Sequence, residues 1–225
     1  VVVNGKQYFA KKFISNVDPQ ETFKLVEGME IPLLYSKLID YEYSASCFSI
    51  FLGLKNLKQA EGTFGRWNTW YYASQNINKV LADTYRTHSY KKPFLFISTP
   101  SIYANPGALA PRGKFTMQII SNADYTYFKN LRDTNKKEYE KLKKKITKEI
   151  LDVVEKKFMP NLRKNIEVME VWTPLDLKAR VRNPLGNIYG EKLDSKNLVF
   201  HKIPQETPLK NLFLVGATTG YPGIL

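Results

Sequence analysis

The residues whose types and spacing most suggest chemistry are two glycines that follow a short apolar run late in the sequence. Residues 212–215 are Leu-Phe-Leu-Val, which predicts a buried strand, and Gly216 and Gly220 follow it. Glycine permits a tight turn in which main-chain N–H groups approach a phosphate or a flavin closely. In dinucleotide-binding folds such a turn opens a helix that faces the cofactor, and no such helix follows here. We therefore expect this segment to form one half of a nucleotide site.

Few other residues are available for metal or nucleophilic chemistry. The sequence has one cysteine, Cys47, and two histidines, His88 and His201. An intrachain disulfide and a cysteine-based metal site are therefore excluded, and a Ser-His-Asp arrangement has little material. The sequence also has neither the Gly-x-Gly-x-x-Gly turn that binds a pyrophosphate nor a Gly-Lys-Ser/Thr loop. We assign no catalytic residue and no metal site, and we expect a reducing compartment.

The elements that must position these residues are strands and helices in alternation. Asn4-Gly5 predicts a hairpin turn, one-sided alternation predicts a strand over 45–54, and apolar residues three and four apart predict a long helix over 135–158. The glycine- and tryptophan-rich stretch 62–70 is predicted to be irregular. Hairpins and one-sided strands favour an α+β fold, a mixed, largely antiparallel sheet covered by helices.

Positive charge is concentrated in one stretch of the chain. The net charge is +13, and residues 129–164 contain thirteen Lys or Arg against six Asp or Glu. This basic face is a solvated helix with pairs such as Glu138 with Lys141 and Glu140 with Lys144, or it binds an anionic membrane, or, least favoured, nucleic acid. No stretch of sequence approaches the ~20 apolar residues of a membrane span. We expect a cytoplasmic or peripheral membrane protein.

Five short motifs occur in an order that resembles one family. They are Ile14-Ser-Asn-Val-Asp-Pro19, Ala110-Pro-Arg-Gly-Lys114, Thr173-Pro174, Asn183-Pro-Leu-Gly-Asn-Ile-Tyr-Gly190 and Asn211-Leu-Phe-Leu-Val-Gly216. Over nearly its whole length the sequence resembles the FAD-dependent phytoene desaturase-like flavoproteins, with the closest likeness to the branch of retinol saturases and carotenoid isomerases. It departs from many relatives at 219–223, where Thr-Gly-Tyr-Pro-Gly stands in place of a run like His-Pro-Gly-Gly-Gly.

The resemblance implies the substrate-binding portion of an FAD-dependent oxidoreductase that desaturates, saturates or isomerises a long apolar polyene, a carotenoid or a retinoid. It implies strands returning near the FAD domain over 1–16, a substrate-binding domain over 17–200, and the last strand and glycine turn of an FAD-binding domain over 201–225. FAD is expected in the complete protein and is not expected to be retained by this portion, which lacks the amino-terminal Rossmann motif. Because a flavin performs hydride transfer itself, the scarcity of acid–base residues fits this activity.

An alternative from another class is a non-catalytic basic module that binds an anionic membrane or nucleic acid through the helix 135–158. The oligomeric state is left open.

Two groups of site residues follow. The resemblance places Gly216, Ala217, Thr218 and Thr219 near the cofactor, with Asn16 and Asp18 at the domain junction. A sheet face roofed by helices and an aromatic entrance would suit an apolar substrate, and the candidates for that pocket are Phe48, Ile50, Leu52, Trp67, Trp70 and Tyr189. Asp18 alternatively only caps a helix, and the tryptophans and Tyr189 alternatively pack in the core.

Overall fold

A computed structural model of the chain describes residues 1–194 and 202–220. The strands in chain order are β1 (Val2–Val3), β2 (Lys6–Gln7), β3 (Phe13–Ser15), β4 (Ser46–Lys55), β5 (Thr69–Tyr72), β6 (Phe94–Ser98), β7 (Lys114–Ala123), β8 (Ile166–Trp172) and β9 (Leu212–Leu214). The helices are α1 (Pro19–Lys24), α2 (Leu33–Ile39), α3 (Leu57–Phe64), α4 (Ile77–Thr87), α5 (Tyr125–Thr134), α6 (Lys136–Lys157), α7 (Leu162–Asn165) and α8 (Pro174–Val181). Short 3-10 turns cover Pro100–Ile102 and Pro184–Gly186.

The chain divides into two compact units. The terminal unit consists of Val1–Ser44 and Asn187–Leu225, of which 195–201 and 221–225 lie outside the described residues, and the central unit is Ala45–Gly186. Assignment of the ranges 1–16, 17–200 and 201–225 to FAD-proximal and substrate-binding parts stays a prediction.

The terminal unit is built on two small pairs of strands. The predicted turn at Asn4-Gly5 is formed, with φ of 50° and 77°, and joins the antiparallel strands β1 and β2. β3 and β9 are parallel neighbours, paired from Phe13↔Leu212 to Ser15↔Leu214. A small apolar cluster lies in this unit and consists of Phe23, Tyr35, Ile39, Ile203 and Leu214.

The central unit is a five-stranded antiparallel sheet in the order β5-β6-β7-β4-β8. Side chains of one face, here called the covered face, pack against residues of α3, α5, α6 and α8 in a single apolar core. The sheet members of that core include Phe48, Ile50, Leu52, Leu95, Ile97, Phe115, Met117 and Ile119. The predicted α+β fold with a largely antiparallel sheet and covering helices is therefore confirmed.

The stretch 62–70, which the sequence predicted to be irregular, is irregular only at 65–68. It contains the end of α3 and the start of β5. Ala60 and Phe64, one turn apart, bury the same side of α3 in the core, and Gly65, with φ of 56°, ends the helix. Gly62 lies inside α3 and Gly65 ends it, because tertiary packing outweighs weak local propensity.

The long basic helix is confirmed as α6, one residue shorter at each end than predicted. Asn135 caps it by accepting a hydrogen bond from the Glu138 N–H at 3.1 Å. The predicted pair of Glu138 with Lys141 is present at 2.7 Å. Within the described part of the chain, Glu140 and Lys144 form no ion pair.

Candidate functional site

The first candidate site lies where the parallel strands β3 and β9 end together. The Val215 N–H donates to the Ser15 carbonyl at 2.9 Å, so Asn16 and Gly216 leave the two strands side by side. Gly216 has φ of 120°, and a Cβ placed on it would lie 2.6 Å from Asn16 Oδ1. Only glycine therefore fits beside Asn16 without displacement of that amide. Two of the predicted cofactor residues are in this way brought into contact.

The turn after β9 is ordered by its own threonines. Thr219 Oγ1 and the Thr219 N–H both donate to the Gly216 carbonyl, at 2.9 and 3.2 Å. Thr218 and Thr219 are buried, whereas Gly216 and Ala217 are exposed. Gly190, with φ of 70°, leaves the space that the Thr218 side chain occupies. The main chain of 216–217 is thus exposed to solvent, and the buried side chains of Thr218 and Thr219 hold the turn in place.

Asp18 is engaged inside the terminal unit. Its Oδ1 accepts from the Gln20 N–H at 3.0 Å and caps α1. The hydroxyls of Tyr41 and Tyr43 donate to the same carboxylate at 2.8 and 3.0 Å. Burial, with the nearby Asp18 charge, raises the pKa of both tyrosines, so they stay protonated donors. Asp18 therefore caps α1, as the alternative interpretation of this residue proposed, and it also accepts hydrogen bonds from two tyrosines.

This arrangement fits a nucleotide cofactor. In sheets with parallel strands, ligands bind beyond the carboxyl ends of the strands, and close approach of a pyrophosphate or flavin requires main chain without side chains. The main chain of 216–217 is exposed, and Gly216 has a positive φ that residues with a Cβ rarely adopt. This segment therefore meets both requirements. No group of three or more metal-ligating side chains occurs among the described residues.

The second candidate site is the other face of the central sheet, here called the open face. Pairing registers align one residue from each strand in a row across it. The row consists of Trp70, Phe96, Ile120, Ser49 and Trp172. Since neighbouring strands are about 4.8 Å apart, the five strands give a row about 19 Å long.

Aromatic rings flank this row and contact its members. Trp70 lies 5.0 Å from Phe96 and 5.7 Å from Phe94 between ring centroids, and Phe51 lies 4.9 Å from Trp172. Trp70 is 57% exposed, and Phe51, Phe94, Phe96, Ile120 and Trp172 are each half-buried. Ser49, within the row, is polar and 2% exposed, and Asn122 on the same face donates to the Leu81 carbonyl of α4 at 3.5 Å. The partly exposed rings around Ser49 form an apolar surface on which an apolar ligand can bind.

Charged groups lie at one end of the open face. The Trp172 indole N–H donates to Glu170 Oε1 at 2.8 Å, and Arg180 pairs with the same oxygen at 2.8 Å while its guanidinium lies 4.9 Å from the Trp172 ring centroid. These contacts fix the orientation of Trp172 at the β8 edge.

Of the six predicted pocket residues, the five that belong to the central unit do not share one surface. Phe48, Ile50 and Leu52 are at most 2% exposed and belong to the core under the helices. Trp70 lies on the open face, Trp67 is exposed in the turn before β5, and Tyr189 is exposed in the terminal unit. Their pocket roles stay predictions.

Sequence reasoning missed most of the open face. Phe94 to Ser98 is apolar on both sides of the strand, which is typical of a strand with two apolar faces. That signal, applied to β4, β6 and β7 together, could have identified Phe51, Phe96 and Ile120.

Comparison with known proteins identifies relatives whose names all describe enzymes of carotenoids or retinoids. No protein-family model matches the chain. It is 28% identical over 206 residues to the all-trans-retinol 13,14-reductase of Danio rerio, covering 83% of this chain and 32% of that protein. It is 28% identical over 227 aligned residues to the chloroplastic prolycopene isomerase of Daucus carota, covering 99% and 32%. It is 26% identical over 224 residues to the 4,4'-diaponeurosporene oxygenase of Staphylococcus aureus strain USA300, covering 97% and 41%.

The chain therefore spans about a third to two fifths of the length of these curated relatives. In the described part of the chain, no helix is both long enough and apolar enough to cross a bilayer.

Proposed function

We propose that this chain, which belongs to the family of carotenoid desaturases, carotenoid isomerases and retinol saturases, is the substrate-binding portion of an FAD-dependent oxidoreductase acting on a long apolar polyene. The names of these relatives describe action on a retinol, on prolycopene and on diaponeurosporene. All three substrates carry extended apolar chains, which is the chemistry that the open face suits.

The observation that carries the proposal is the aromatic row on the open face. A conjugated polyene is flat, rigid and apolar, so it needs a long apolar surface and few polar contacts. Trp70, Phe96, Ile120 and Trp172 supply apolar, partly exposed side chains along about 19 Å of the sheet, with the buried Ser49 between Ile120 and Trp172. Rings that are half-buried already are held in place by their neighbours, so binding costs little side-chain entropy.

The residues of the terminal unit hold the cofactor in this proposal. Main-chain groups of Gly216 and Ala217 contact FAD, and Asn16 lies beside them. Thr219 shapes the turn through its bonds to the Gly216 carbonyl, and Asp18 keeps the neighbouring segment in place. When bound, FAD supplies hydride transfer, which leaves the chain to bind, orient and exclude water.

The test is polyene binding measured through quenching of tryptophan fluorescence by a retinoid or carotenoid, with Trp70→Ala as the variant. Trp70 is 57% exposed, and a ligand that covers about half of its ring removes on the order of 60 Å² of apolar surface from water, worth ~1.5 kcal/mol. We expect about tenfold weaker binding, by that free energy.

The matched control is Tyr103→Ala, which removes an aromatic ring that is 45% exposed and outside the sheet. Unchanged affinity in this control, with loss in Trp70→Ala, supports the open face as the polyene site. Equal affinity in the wild type and in Trp70→Ala contradicts it.

A further inference from the structure

Three of the five carboxylates of α6 contact residues outside the helix, and most of its lysines form no ion pair among the described residues. The helix carries nine lysines and five carboxylates. Glu149 is 7% exposed and accepts the Tyr90 N–H at 2.7 Å. Arg163 pairs with Asp152 at 2.7 Å and with Glu155. Positive charge on the exposed side of the helix is therefore far less compensated than the sequence count suggests.

Within the described residues, six lysines of α6 form no ion pair: Lys136, Lys137, Lys144, Lys145, Lys156 and Lys157. Lys141 and Lys148 pair with Glu138 and Asp152 at 2.7 Å each, in exposed contacts that contribute little. The side of α6 opposite its buried stripe carries Lys137, Lys141, Lys144, Lys145, Lys148 and Lys156, here called the lysine crest. At 1.5 Å per residue the crest is about 28 Å long.

A shallow basic groove lies on each side of the crest. One, of about 370 Å³, is lined by Lys91, Lys145, Lys148 and Lys156 together with Glu149, Asp152 and Val153. The other, of about 310 Å³, is lined by Lys143, Lys144, Lys148 and Arg163 together with Thr147, Leu151 and Met169. Lysines at the rims of both grooves form a broad cationic surface instead of a single line of charge.

The composition of this surface favours one kind of anionic partner. Within α6, all of whose residues are described, the only aromatic residue is Tyr139, which is buried, and arginine is absent. Arg163, which lines one of the grooves, is paired with Asp152 and Glu155. Single-stranded nucleic acid is bound with stacked aromatic rings and arginine, so its recognition would lack its usual contacts here. The exposed side of α6 also presents no large apolar side chain that could insert into a bilayer. Lysine point charges on a flat surface suit a layer of phospholipid headgroups.

We propose that the lysine crest and its two flanking grooves dock the protein on the surface of an anionic phospholipid bilayer, by charge alone and without insertion. This goes beyond the proposed function and does not require it, although a bilayer is also where an apolar polyene dissolves.

The test is co-sedimentation of the purified protein with neutral phosphatidylcholine vesicles and with vesicles containing about 30% phosphatidylserine, at about 50 and about 300 mM salt. The variant is Lys144→Glu with Lys145→Glu, which reverses two exposed lysines of the crest. The matched control is Lys55→Glu with Lys58→Glu, which changes the net charge equally at exposed positions on β4 and α3. Circular dichroism verifies that both variants fold.

We expect binding to the anionic vesicles only, weakened at least tenfold by the higher salt and at least tenfold by the crest variant, with less than a threefold change in the control. Equal binding to neutral vesicles, equal effects of the two variants, or tighter binding to a 20-nucleotide oligonucleotide than to anionic vesicles at the same salt would each overturn the proposal.

Polyene quenching in vesicle-free solution separates this proposal from the function proposed above. Loss of polyene binding with retained vesicle binding removes that function and leaves the docking surface. The opposite result removes the docking surface alone.

Discussion

Gly216→Ala is the substitution that most directly tests the turn after β9. Gly216 has φ of 120°, where residues with a Cβ are strained, and the added Cβ would lie 2.6 Å from Asn16 Oδ1. The substitution therefore adds backbone strain and a steric contact together. Because the contact is with a side chain, a second substitution can remove it and leave the strain.

The two costs can be estimated separately. A strained φ at a residue other than glycine costs ~1–3 kcal/mol. Displacing Asn16 from a contact 2.6 Å away forces a less favourable rotamer, which adds ~1 kcal/mol. Gly107 has φ of 92° with nothing within 4 Å of an added Cβ, so Gly107→Ala measures strain alone in a remote loop. We expect Gly216→Ala to destabilise the chain by ~1 kcal/mol more than Gly107→Ala does.

The assay is urea unfolding followed by circular dichroism, for the wild type, the two alanine variants, Asn16→Ala, and Asn16→Ala combined with Gly216→Ala. The combined variant should recover the steric part, so the double-mutant cycle gives a coupling of ~1 kcal/mol. In the complete protein loaded with FAD, flavin fluorescence on dilution should show about tenfold weaker retention of FAD for Gly216→Ala and no change for Gly107→Ala.

Additive effects of Asn16→Ala and Gly216→Ala would refute the close approach of the two segments. Unchanged retention of FAD in a destabilised Gly216→Ala protein would refute the cofactor role and leave the packing argument in place.

Three further predictions concern the supporting structure. Asp18→Ala removes the cap of α1 and leaves the buried Tyr41 hydroxyl without its acceptor, so we expect a loss of ~2–4 kcal/mol in urea unfolding, and a loss below ~0.5 kcal/mol would contradict the network. Ile50→Val should cost ~1 kcal/mol and leave polyene quenching unchanged, since Ile50 is fully buried in the core, and weaker quenching would return the covered face to consideration as the pocket. Burial lowers the pKa of His88 below its usual 6.5, so the stability that neutral His88 contributes is present above pH 6.5 and is lost as the pH falls through the folded-state pKa. The fall in Tm between about pH 7.5 and about pH 5.5 should therefore be smaller in His88→Asn, because asparagine tolerates the positive φ of that position. Equal falls in Tm for the wild type and the variant would contradict this.

Local patterns predicted the elements well where the sequence signal repeats. The apolar stripe of α6 predicted that helix to within one residue at each end, because about six turns of three-and-four spacing leave no other amphipathic solution. Asn4-Gly5 predicted its turn because few other residues adopt positive φ at both positions. The prediction of irregular structure over 62–70 was wrong at 62–64 and 69–70. A helix of two turns such as α3 carries little local signal, and contacts of Ala60 and Phe64 with distant core residues decide it.

The candidate site could be predicted only in part. The glycine turn at Gly216 and the nearby Asn16 were both identified, although they are two hundred residues apart in sequence, and it is the parallel pairing of β3 with β9 that brings them into contact. The face proposed to bind the substrate was not predicted. Alternation along β4 identifies two faces, Phe48 with Ile50 on one and Ser49 with Phe51 on the other, and nothing in the strand states which of the two the helices cover.

The sequence alone determined the fold class, the position of the basic helix and the presence of a glycine turn after the last described strand, because periodicity and backbone freedom are local properties. Only the tertiary structure decided which sheet face is filled and which stays open, and which lysines remain unpaired after Arg163 and the Tyr90 N–H engage the carboxylates of α6. Those outcomes depend on contacts between residues far apart in the chain. Such contacts produce no periodic pattern in the sequence around either residue, so they can be identified only in the folded structure.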